Sequence, residues 1–556
     1  MPFLTPSRSS SDIEELGELA KQLGFGVTNP KDAQDLALLL KSFKGVVQGI
    51  SDGPDYIPPA LEPQPTIDGP RTFWKPEPKD NPFNAWSYRC SLASFNPATD
   101  ILRGRTIAIK DNISVGGLPT TLGTVPELHA DGTFPISSID ATVVSRLLSA
   151  GAVIKGTSTC ESFCASPLSF TSATGPVHHP LLYGYTSGGS SSGSCALVAA
   201  QKIGDPSVGE TCELAIGSDQ AGSVRIPACY TGLYGLKPTH GLVPYTGAAS
   251  MCAMIDHLGP IATSLEDIAA LLKVMAGYDG LDARMTPESP LVGHVKDYPA
   301  MLSRFRQSIS DRSATKLMRL GILKEAFEIA GLSPDVRDMV RDSAVTCFSA
   351  AGAELVEVSV PMHLEGPSIW TASTRHSMSE WLCEGRPSGY LSYLAPHIKP
   401  VWPPTQKTYE LLASTNPAVI NIIFSGKLAH EKLSPGEEGK AHRRIFELRA
   451  AYDKALAEVD VLITPCAPTI AKPHPDPSEK DIMERLKAAV GVTNNTCPFN
   501  VTGHPAMNVP CGELPVPGVE GVKLPVGMQV IGKRWNDEGV LMAAALFEEG
   551  QRLVQK

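Results

Sequence analysis

The sequence predicts an α/β fold, in which helices pack against a largely parallel or mixed β-sheet. From about residue 105 onward, short apolar runs suited to strands alternate with longer stretches that repeat apolar residues at helical spacing. No long polar or low-complexity linker divides the 556 residues, which favours one large domain with a smaller appendage.

The first part of the chain predicts that appendage. Apolar residues recur at helical spacing on both sides of Gly24, and Pro30 suits the first turn of a second helix, so residues 1–50 are expected to form a helical N-terminal unit. Residues 51–97 are rich in proline, which favours an extended connector over a packed element. Residues 98–556 are then expected to form the main domain.

The main domain is predicted to alternate strands and helices. Strands are expected over residues 106–111, 152–157, 354–360, 461–464 and 526–531, and helices over residues 140–150, 264–277, 335–351, 441–459 and 537–554. One helix start is well defined, because Ser264 is a preferred N-cap residue. The segment from about 360 to 440 is less regular, and it is expected either to cover the entrance of a site or to be a surface excursion.

The composition excludes several classes of partner. The formal net charge is −10, whereas nucleic acid or an anionic membrane would attract a basic face. No window approaches the roughly 20 apolar residues of a membrane span, and the first residues lack the apolar core of a signal peptide, so a cytoplasmic protein is expected. The 12 cysteines lack the paired spacing of a metal site and are expected to be buried thiols. No metal and no cofactor are predicted.

Two glycine- and serine-rich loops between Gly184 and Gly241 predict the chemistry. They contain the stretches YTSGGSSSGS and GSDQAGSVR, with Ser190 and Ser223 at their tight points. Glycine lets backbone N–H groups approach a ligand closely, so the turn before Ser223 suits an oxyanion hole, which stabilises negative charge on a carbonyl oxygen. This stretch therefore predicts the nucleophile region of a serine hydrolase.

A serine nucleophile needs a base to remove its proton. None of the 13 histidines, His240 and His257 included, lies in a pattern that identifies a Ser-His-Asp set, and there is no GxSxG elbow. Lysine can act as the base when burial disfavours its charged form, and Lys110 lies on the apolar strand IAIKDN. Taken alone, this position also fits a lysine that reaches solvent at the end of a strand.

Six ordered blocks extend the pattern beyond these loops. They read TIAIKDNISVGGLPTTLGT, YTSGGSSSGSCALVAA, GSDQAGSVRIPACYTGLYGLKPTHGLVPYTG, IDHLGPIATS, NTCPFNVTGHPAMNVP and LPVGMQVIG. Together they resemble the amidase signature family over about residues 83–556, and the helical preface resembles the longer bacterial amidases of aliphatic and aromatic amides. The resemblance implies a central mixed, twisted sheet covered by helices on both faces, with a small helical N-terminal domain.

The family's Ser–cis-Ser–Lys triad has a match at each position. The resemblance assigns Ser223 as the nucleophile, Ser190 as the bridging serine preceded by a cis peptide, and Lys110 as the base. The other implied positions are oxyanion-hole N–H groups at Gln220, Ala221, Gly222 and Ser223, and supporting side chains at Ser191, Asp219 and Arg225. Each supporting residue is equally well explained as a structural hydrogen-bonding residue.

The implied reaction hydrolyses a carboxylic amide to an acid and ammonia or an amine, through an acyl-enzyme on Ser223.

Two departures from the family pattern stand out. Residues 201–213 look like an insertion, which is expected on the side away from the chemistry. Ala221 occupies a position where glycine is usual, and its methyl group is expected to restrict the loop and affect the rate of turnover.

Three functions fit this pattern. The main prediction is a stand-alone hydrolase of small-molecule amides, with carbamate or ester hydrolysis at the same site as an alternative. The second is the glutaminase-type subunit of a tRNA-dependent amidotransferase, which the long helical preface does not favour. The third is an inactive scaffold, which the joint presence of Lys110, Ser190 and Ser223 argues against. A homodimer is a family-level expectation.

Overall fold

A computed structural model describes residues 10–311, 318–386, 391–476, 478–479 and 481–556. These residues divide into two compact units, one up to Pro59 and one from Ala60 onward. The boundaries at residues 50 and 97 stay a prediction. Part of the expected connector is nevertheless packed, because Trp86–Ala93 form a strand in the sheet of the second unit instead of an extended strap.

The first unit contains two helices, α1 (Ser10–Gln22) and α2 (Pro30–Ser51). The side-chain oxygen of Asn29 caps α2 by accepting the N–H of Lys31 at 2.9 Å, and Pro30 occupies the first turn. Both helices predicted from the apolar spacing are therefore present.

The second unit alternates strands and helices along the chain. Its elements are β1 (Trp86–Ala93), β2 (Thr106–Lys110), α3 (Thr142–Ser149), β3 (Val153–Ser158), β4 (His178–His179), β5 (Leu182–Thr186), α4 (Ser192–Ile203), β6 (Leu214–Ser218), α5 (Arg225–Thr231), β7 (Tyr234–Lys237), β8 (Leu258–Ala262), α6 (Leu265–Met275), α7 (Tyr298–Ser310), β9 (Arg319–Leu323), α8 (Pro334–Ala350), β10 (Glu354–Val358), α9 (Gly366–Met378), α10 (Gln406–Thr415), α11 (Pro417–Lys432), α12 (Pro435–Glu458), β11 (Val461–Pro465), α13 (Ile482–Lys487), α14 (Pro498–Thr502), β12 (Ala506–Pro515), β13 (Lys523–Gly532) and α15 (Asp537–Val554). Among the helices of the described ranges, none has both the length and the apolar character that a membrane span needs.

Among the described residues, eleven strands form one mixed sheet, in the order β1-β3-β2-β6-β8-β7-β12-β13-β11-β9-β10. β2 runs parallel to both β3 and β6, while β8 pairs antiparallel with β6 and β7. The carboxyl ends of the parallel neighbours β2 and β6 therefore meet at one edge, which brings Lys110 close to Ser218. The predicted α/β fold with a mixed sheet is confirmed.

Helices cover both faces of this sheet. Ala108 of β2 and Ala215 of β6 belong to an apolar cluster with residues of α4. Ile107 and Ile109 belong instead to the large core that includes α3 and α6. Alternate side chains of a strand point to opposite faces, so Lys110 shares the face of Ala108, which is the face that α4 covers.

Most predicted elements of the second unit are present, some with shifted ends. α15 begins and ends at the predicted residues, and Ser264 caps α6 by accepting the N–H of Asp267 at 3.2 Å. The expectation of an irregular segment from 360 to 440 is wrong, because its described residues include α9, α10 and α11. Proline misled the prediction, since Pro417 starts a helix instead of breaking one.

The insertion at residues 201–213 packs at the β1 edge of the sheet. The carboxylate of Glu210 forms ion pairs with Arg89 of β1 and Lys155 of β3. The carbonyl oxygen of Glu210 accepts the Trp86 indole N–H at 2.8 Å. The insertion thus contributes contacts to the outer strands of the sheet.

Candidate active site

Lys110 ends β2 and is fully buried. Its Nζ lies 2.7 Å from Ser190 Oγ, 2.8 Å from Ser218 Oγ and 3.3 Å from the carbonyl oxygen of Ser218. The alternative of a strand-end lysine that reaches solvent is therefore excluded. Two of the three predicted triad members are in direct contact.

The loop before Ser190 requires its two glycines. Gly188 and Gly189 have φ angles of +80° and +38°, which residues with side chains rarely adopt. A Cβ at Gly188 would lie 2.4 Å from the Tyr230 ring. The prediction of a cis peptide before Ser190 is wrong, because the loop turns through these glycines with trans peptides; among the described residues, the cis peptide is Trp402–Pro403.

Ser223 lies in the second loop, which connects β6 to α5. A Cβ on Gly189 would lie 3.3 Å from Ser223 Cα, and the Ser191 N–H donates to the Ser223 carbonyl oxygen at 3.2 Å, so the two loops are in contact. Ser223 is 7% exposed. Within the described ranges its hydroxyl has no hydrogen-bond partner, and the hydrogen bond to Ser190 is not formed. Catalytic hydrogen bonds are often long without substrate and tighten in the complex.

The predicted oxyanion-hole N–H groups fall into two sets. The Gly222 N–H donates to Asp219 Oδ1 at 2.7 Å, so its assignment as an oxyanion donor is contradicted. The N–H groups of Gln220, Ala221 and Ser223 have no acceptor in the part of the chain that the structure describes. These three N–H groups are available to a substrate carbonyl oxygen, as an oxyanion hole requires.

Asp219 and Arg225 form a buried ion pair that braces the second loop. Arg225 Nη2 donates to Asp219 Oδ1 at 2.8 Å, and Nε donates to Oδ2 at 3.0 Å. Asp219 also accepts the N–H groups of Gly222 and Val224. Burial alone raises the pKa of Asp219, but the Arg225 charge and these hydrogen bonds outweigh it and hold that pKa well below its usual range. The ionised pair fixes the shape of the loop.

Arg225 also contacts residues that sequence reasoning missed. Its Nη1 donates to Gln529 Oε1 at 2.6 Å, and its Nη2 donates to Asn500 Oδ1 at 2.7 Å. These partners are 304 and 275 positions away in the chain, on β13 and α14. They lie in the blocks LPVGMQVIG and NTCPFNVTGHPAMNVP, so the blocks were a signal, but the spacing does not connect them to the nucleophile loop.

Ser218 is a second residue that was missed. Besides its contact with Lys110, its carbonyl oxygen accepts the hydroxyl of Ser191 at 3.2 Å. The available signal was its place at the end of the strand that precedes the nucleophile loop. Ser191 therefore contacts both the Ser218 end of β6, through its hydroxyl, and Ser223, through its N–H.

Two buried carboxyl groups lie near Lys110. Burial raises the pKa of Asp111 to about 7, against hydrogen bonds from Thr121 that lower it. Burial likewise raises the pKa of Glu161 to about 7, against hydrogen bonds from Thr171 that lower it. The carboxyl groups of both residues are therefore harder to ionise than exposed ones.

The cysteines have the predicted character, since all 12 are buried and free. Across the described residues, no three His, Cys, Asp or Glu side chains lie close enough together to hold a metal ion.

A mixed α/β fold with a buried lysine against one serine, and a second serine in the adjoining loop, defines a class of serine hydrolases in which lysine takes the place of histidine. The chain belongs to the Amidase family, whose model matches residues 85–541.

Individual relatives agree with this family. An enantioselective amidase of Rhodococcus rhodochrous is 33% identical, and the match covers 99% of this chain and 96% of that protein. A glutamyl-tRNA(Gln) amidotransferase subunit of Methanosarcina mazei is also 33% identical, over 81% of this chain and 84% of that protein. The solved peptide amidase of Stenotrophomonas maltophilia has a TM-score of 0.61 and 26% identity, and the match covers 81% of this chain and 83% of that chain.

These similarities confirm the resemblance and the fold that it implied. They show an amide-hydrolysing enzyme.

Proposed function

We propose that this chain hydrolyses carboxylic amides through an acyl-enzyme on Ser223, with Ser190 passing protons between Ser223 and Lys110. One observation carries the proposal: Lys110 Nζ lies 2.7 Å from Ser190 Oγ in a fully buried position. The residue after Ser190 donates its N–H to the Ser223 backbone, which keeps the two serine loops together.

Acylation begins with the neutral amine of Lys110. Ser223 Oγ attacks the amide carbon while its proton passes to Ser190 Oγ and the Ser190 proton passes to Lys110 Nζ. The carbonyl oxygen gains negative charge, which the N–H groups of Gln220, Ala221 and Ser223 stabilise. The proton then returns through Ser190 to the substrate nitrogen, the C–N bond breaks, and ammonia or an amine leaves.

Deacylation uses the same groups in the reverse direction. A water molecule attacks the ester carbon of the acyl-enzyme and gives its proton to the relay. The bond between carbon and Ser223 Oγ breaks, and Ser223 recovers its proton as the carboxylic acid leaves. The supporting roles of Ser191, Asp219 and Arg225 are to hold the two loops, through the hydrogen bonds and the ion pair described above.

A stand-alone hydrolase is favoured over an amidotransferase subunit. The Rhodococcus amidase matches almost the whole chain, 99% of it, whereas the Methanosarcina protein matches 81%. Small-molecule amides are the proposed substrates, and esters or carbamates are alternatives because they form the same acyl-enzyme. A cytoplasmic location and a homodimer stay predictions.

Replacement of the nucleophile tests the proposal. Ser223→Ala is expected to lose benzamide and propionamide hydrolysis by at least about 10³-fold and to lose labelling by a serine-reactive fluorophosphonate. Ser349→Ala, an exposed serine on α8, is the control and should keep both. A Ser223→Ala protein that still takes one label per chain would refute the nucleophile assignment. If the wild-type chain hydrolyses glutamine but neither benzamide nor propionamide, the proposal of a stand-alone hydrolase is refuted.

A further inference from the structure

We propose that the hydroxyl of Tyr245 is a positioning group that sets the direction of the hydrogen bonds around Lys110 and holds the oxyanion loop at Gln220. The inference rests on the proposed function, because it concerns the same proton relay. Tyr245 is outside the predicted triad and its supporting residues, and it is 1% exposed.

One set of hydrogen bonds links the Tyr245 hydroxyl to the base, Lys110. Asn112 Nδ2 lies 3.4 Å from Tyr245 Oη, and Asn112 Oδ1 accepts the Ser218 hydroxyl at 3.3 Å. Ser218 Oγ in turn lies 2.8 Å from Lys110 Nζ. A continuous series of side chains therefore joins Tyr245 to Lys110.

A second hydrogen bond links the Tyr245 hydroxyl to the oxyanion loop at Gln220. Gln220 Nε2 donates to Tyr245 Oη at 2.8 Å and to Asp256 Oδ1 at 3.4 Å. Gln220 Oε1 is buried and has no partner within the described ranges. The Gln220 side chain is thus held through Nε2, with Tyr245 as its shorter contact, and the backbone N–H of the same residue is one of the proposed oxyanion donors.

The available donors and acceptors define the direction of each hydrogen bond at the Tyr245 hydroxyl. The carbonyl oxygen of Ala249 can only accept, so the one proton of Tyr245, 3.0 Å away, points to it. Tyr245 Oη must then accept from both Asn112 and Gln220, which requires the NH₂ groups of both amides to face it. Contact with the Asp256 carboxylate requires the same orientation of Gln220.

The orientation of the Asn112 amide determines the hydrogen bonds of Ser218 and, through Ser218, those of Lys110. With Asn112 Nδ2 facing Tyr245, Asn112 Oδ1 faces Ser218 and takes its hydroxyl proton. Ser218 Oγ and the Ser218 carbonyl oxygen are left as acceptors for two N–H groups of Lys110. In the neutral amine, the lone pair is the remaining position, and Ser190 Oγ lies on that side at 2.7 Å. Lys110 is therefore oriented to accept the Ser190 proton, as the proposed relay requires.

The aromatic ring is held separately from the hydroxyl. The Arg284 guanidinium lies 4.9 Å from the centre of the Tyr245 ring, and Arg284 is itself paired with Asp256 and Asp282. Burial raises the pKa of Tyr245 well above its usual value, so the hydroxyl keeps its proton at working pH. Phenylalanine should therefore keep the ring in place while it removes the one atom that both amides contact.

Tyr245→Phe in the full chain tests the proposal. We expect kcat for benzamide to fall about 10- to 100-fold, because the lone pair of Lys110 and the oxyanion donor lose their fixed orientation. KM should stay within about threefold, and fluorophosphonate labelling should become slower but still reach one label per chain. Tyr234→Phe is the matched control, since it removes another buried tyrosine hydroxyl, which bonds Glu548, and it should keep wild-type kcat.

A double variant separates positioning from a loss of packing. Because one of the two sets of hydrogen bonds from Tyr245 runs through Ser218, the loss of kcat in the double variant Tyr245→Phe with Ser218→Ala should be smaller than the product of the two single losses. Multiplicative losses, or a kcat for Tyr245→Phe within about twofold of wild type, would overturn the inference. A wild-type chain with neither turnover nor label would overturn the proposed function instead.

Asn112→Asp gives a second test if Tyr245→Phe does not fold. It keeps the size of the side chain but places a carboxylate oxygen where Tyr245 Oη needs a donor. We expect kcat for benzamide to fall at least about 10-fold relative to wild type, with labelling slow but complete. Wild-type kcat in a folded Asn112→Asp protein would overturn the inference.

Discussion

Replacement of Arg225 by methionine removes the brace of the nucleophile loop while keeping a long side chain. All five N–H groups of Arg225 are used: two by Asp219 and one each by Thr496, Gln529 and Asn500, at 2.6 to 3.0 Å. Both members of the ion pair are fully buried. Methionine offers none of these donors, so the Asp219 carboxylate would stay in the protein interior without its cation.

The expected magnitude follows from this burial. Removing one partner of a buried ion pair costs about 3–5 kcal/mol, because the other charge is left uncompensated. With an unfolding entropy of about 2 cal/mol/K per residue, a unit of roughly 500 residues shifts its Tm by about 1 °C per kcal/mol, so Tm should fall by about 3–5 °C. An exposed pair gives the control: Arg341→Met removes the partner of Glu357, both about half exposed, and should cost less than about 1 kcal/mol.

The same variant should change the pH dependence of stability. In the wild type, the pKa of Asp219 is held below its unfolded value, so the stabilisation is present above the unfolded pKa and is lost only as pH falls through the folded value. Without Arg225, burial is unopposed by the guanidinium and raises the pKa of Asp219, which places the penalty at neutral pH. The stability gap between wild type and Arg225→Met should therefore narrow on acidification from about pH 7 to about pH 5.

Urea or thermal unfolding at the two pH values measures both effects, and amide turnover measures the effect on the loop. A difference in the free energy of unfolding between wild type and Arg225→Met that is below about 1 kcal/mol, or that does not change with pH, would refute the stabilising role of the buried ion pair. A variant that is destabilised as expected but keeps wild-type kcat would show that the pair supports folding and not the geometry of the oxyanion loop.

Two further predictions concern glycine at the loop and a second buried carboxyl group. Gly222→Ala should lower the free energy of unfolding by at least about 2 kcal/mol, because Gly222 has φ +135° and a Cβ would lie 2.4 Å from Thr496 Oγ1. Ala221 has no positive φ, so in contrast to the expectation from the sequence, Ala221→Gly should leave kcat within about threefold. Unfolding curves check the first variant and amide kinetics the second, and a Gly222→Ala protein as stable as wild type would contradict the steric reason. Burial raises the pKa of Asp537 from its usual 3.8 to about 6, so its stabilisation is present at low pH and is lost as pH rises through the folded value. Relative to Asp537→Asn, the wild type should lose up to about 3 kcal/mol between about pH 4 and about pH 7, and a constant difference in unfolding free energy would contradict this.

The sequence was informative where a local pattern determines the outcome. The period of a strand places Lys110 on the same face as Ala108, and the structure shows it buried there beneath the loop of Ser190. The ends of α15 and the cap at Ser264 follow from local spacing in the same way.

Other features depend on contacts that no local pattern contains. Gln529 and Asn500 reach Arg225 only because β13 and α14 fold back beside α5. The use of the Gly222 N–H by Asp219 depends on the exact turn of one loop, so sequence reasoning assigned that N–H to the oxyanion hole. Ser218 and Tyr245 were missed for a similar reason, because their roles come from the direction of hydrogen bonds and not from residue type.

The arrangement of these contacts explains why the site needs the whole second unit. Lys110, Ser190 and Ser218 come from the first half of the chain, where the parallel neighbours β2 and β6 end at one edge of the sheet. The loop that carries Ser223 is braced from the other half, through Arg225 and its partners on α14 and β13. A proton relay tolerates little displacement, so the base and the nucleophile must be held by a single rigid sheet instead of by two separable halves. The family match over residues 85–541 spans both sets of contacts, as this requirement implies.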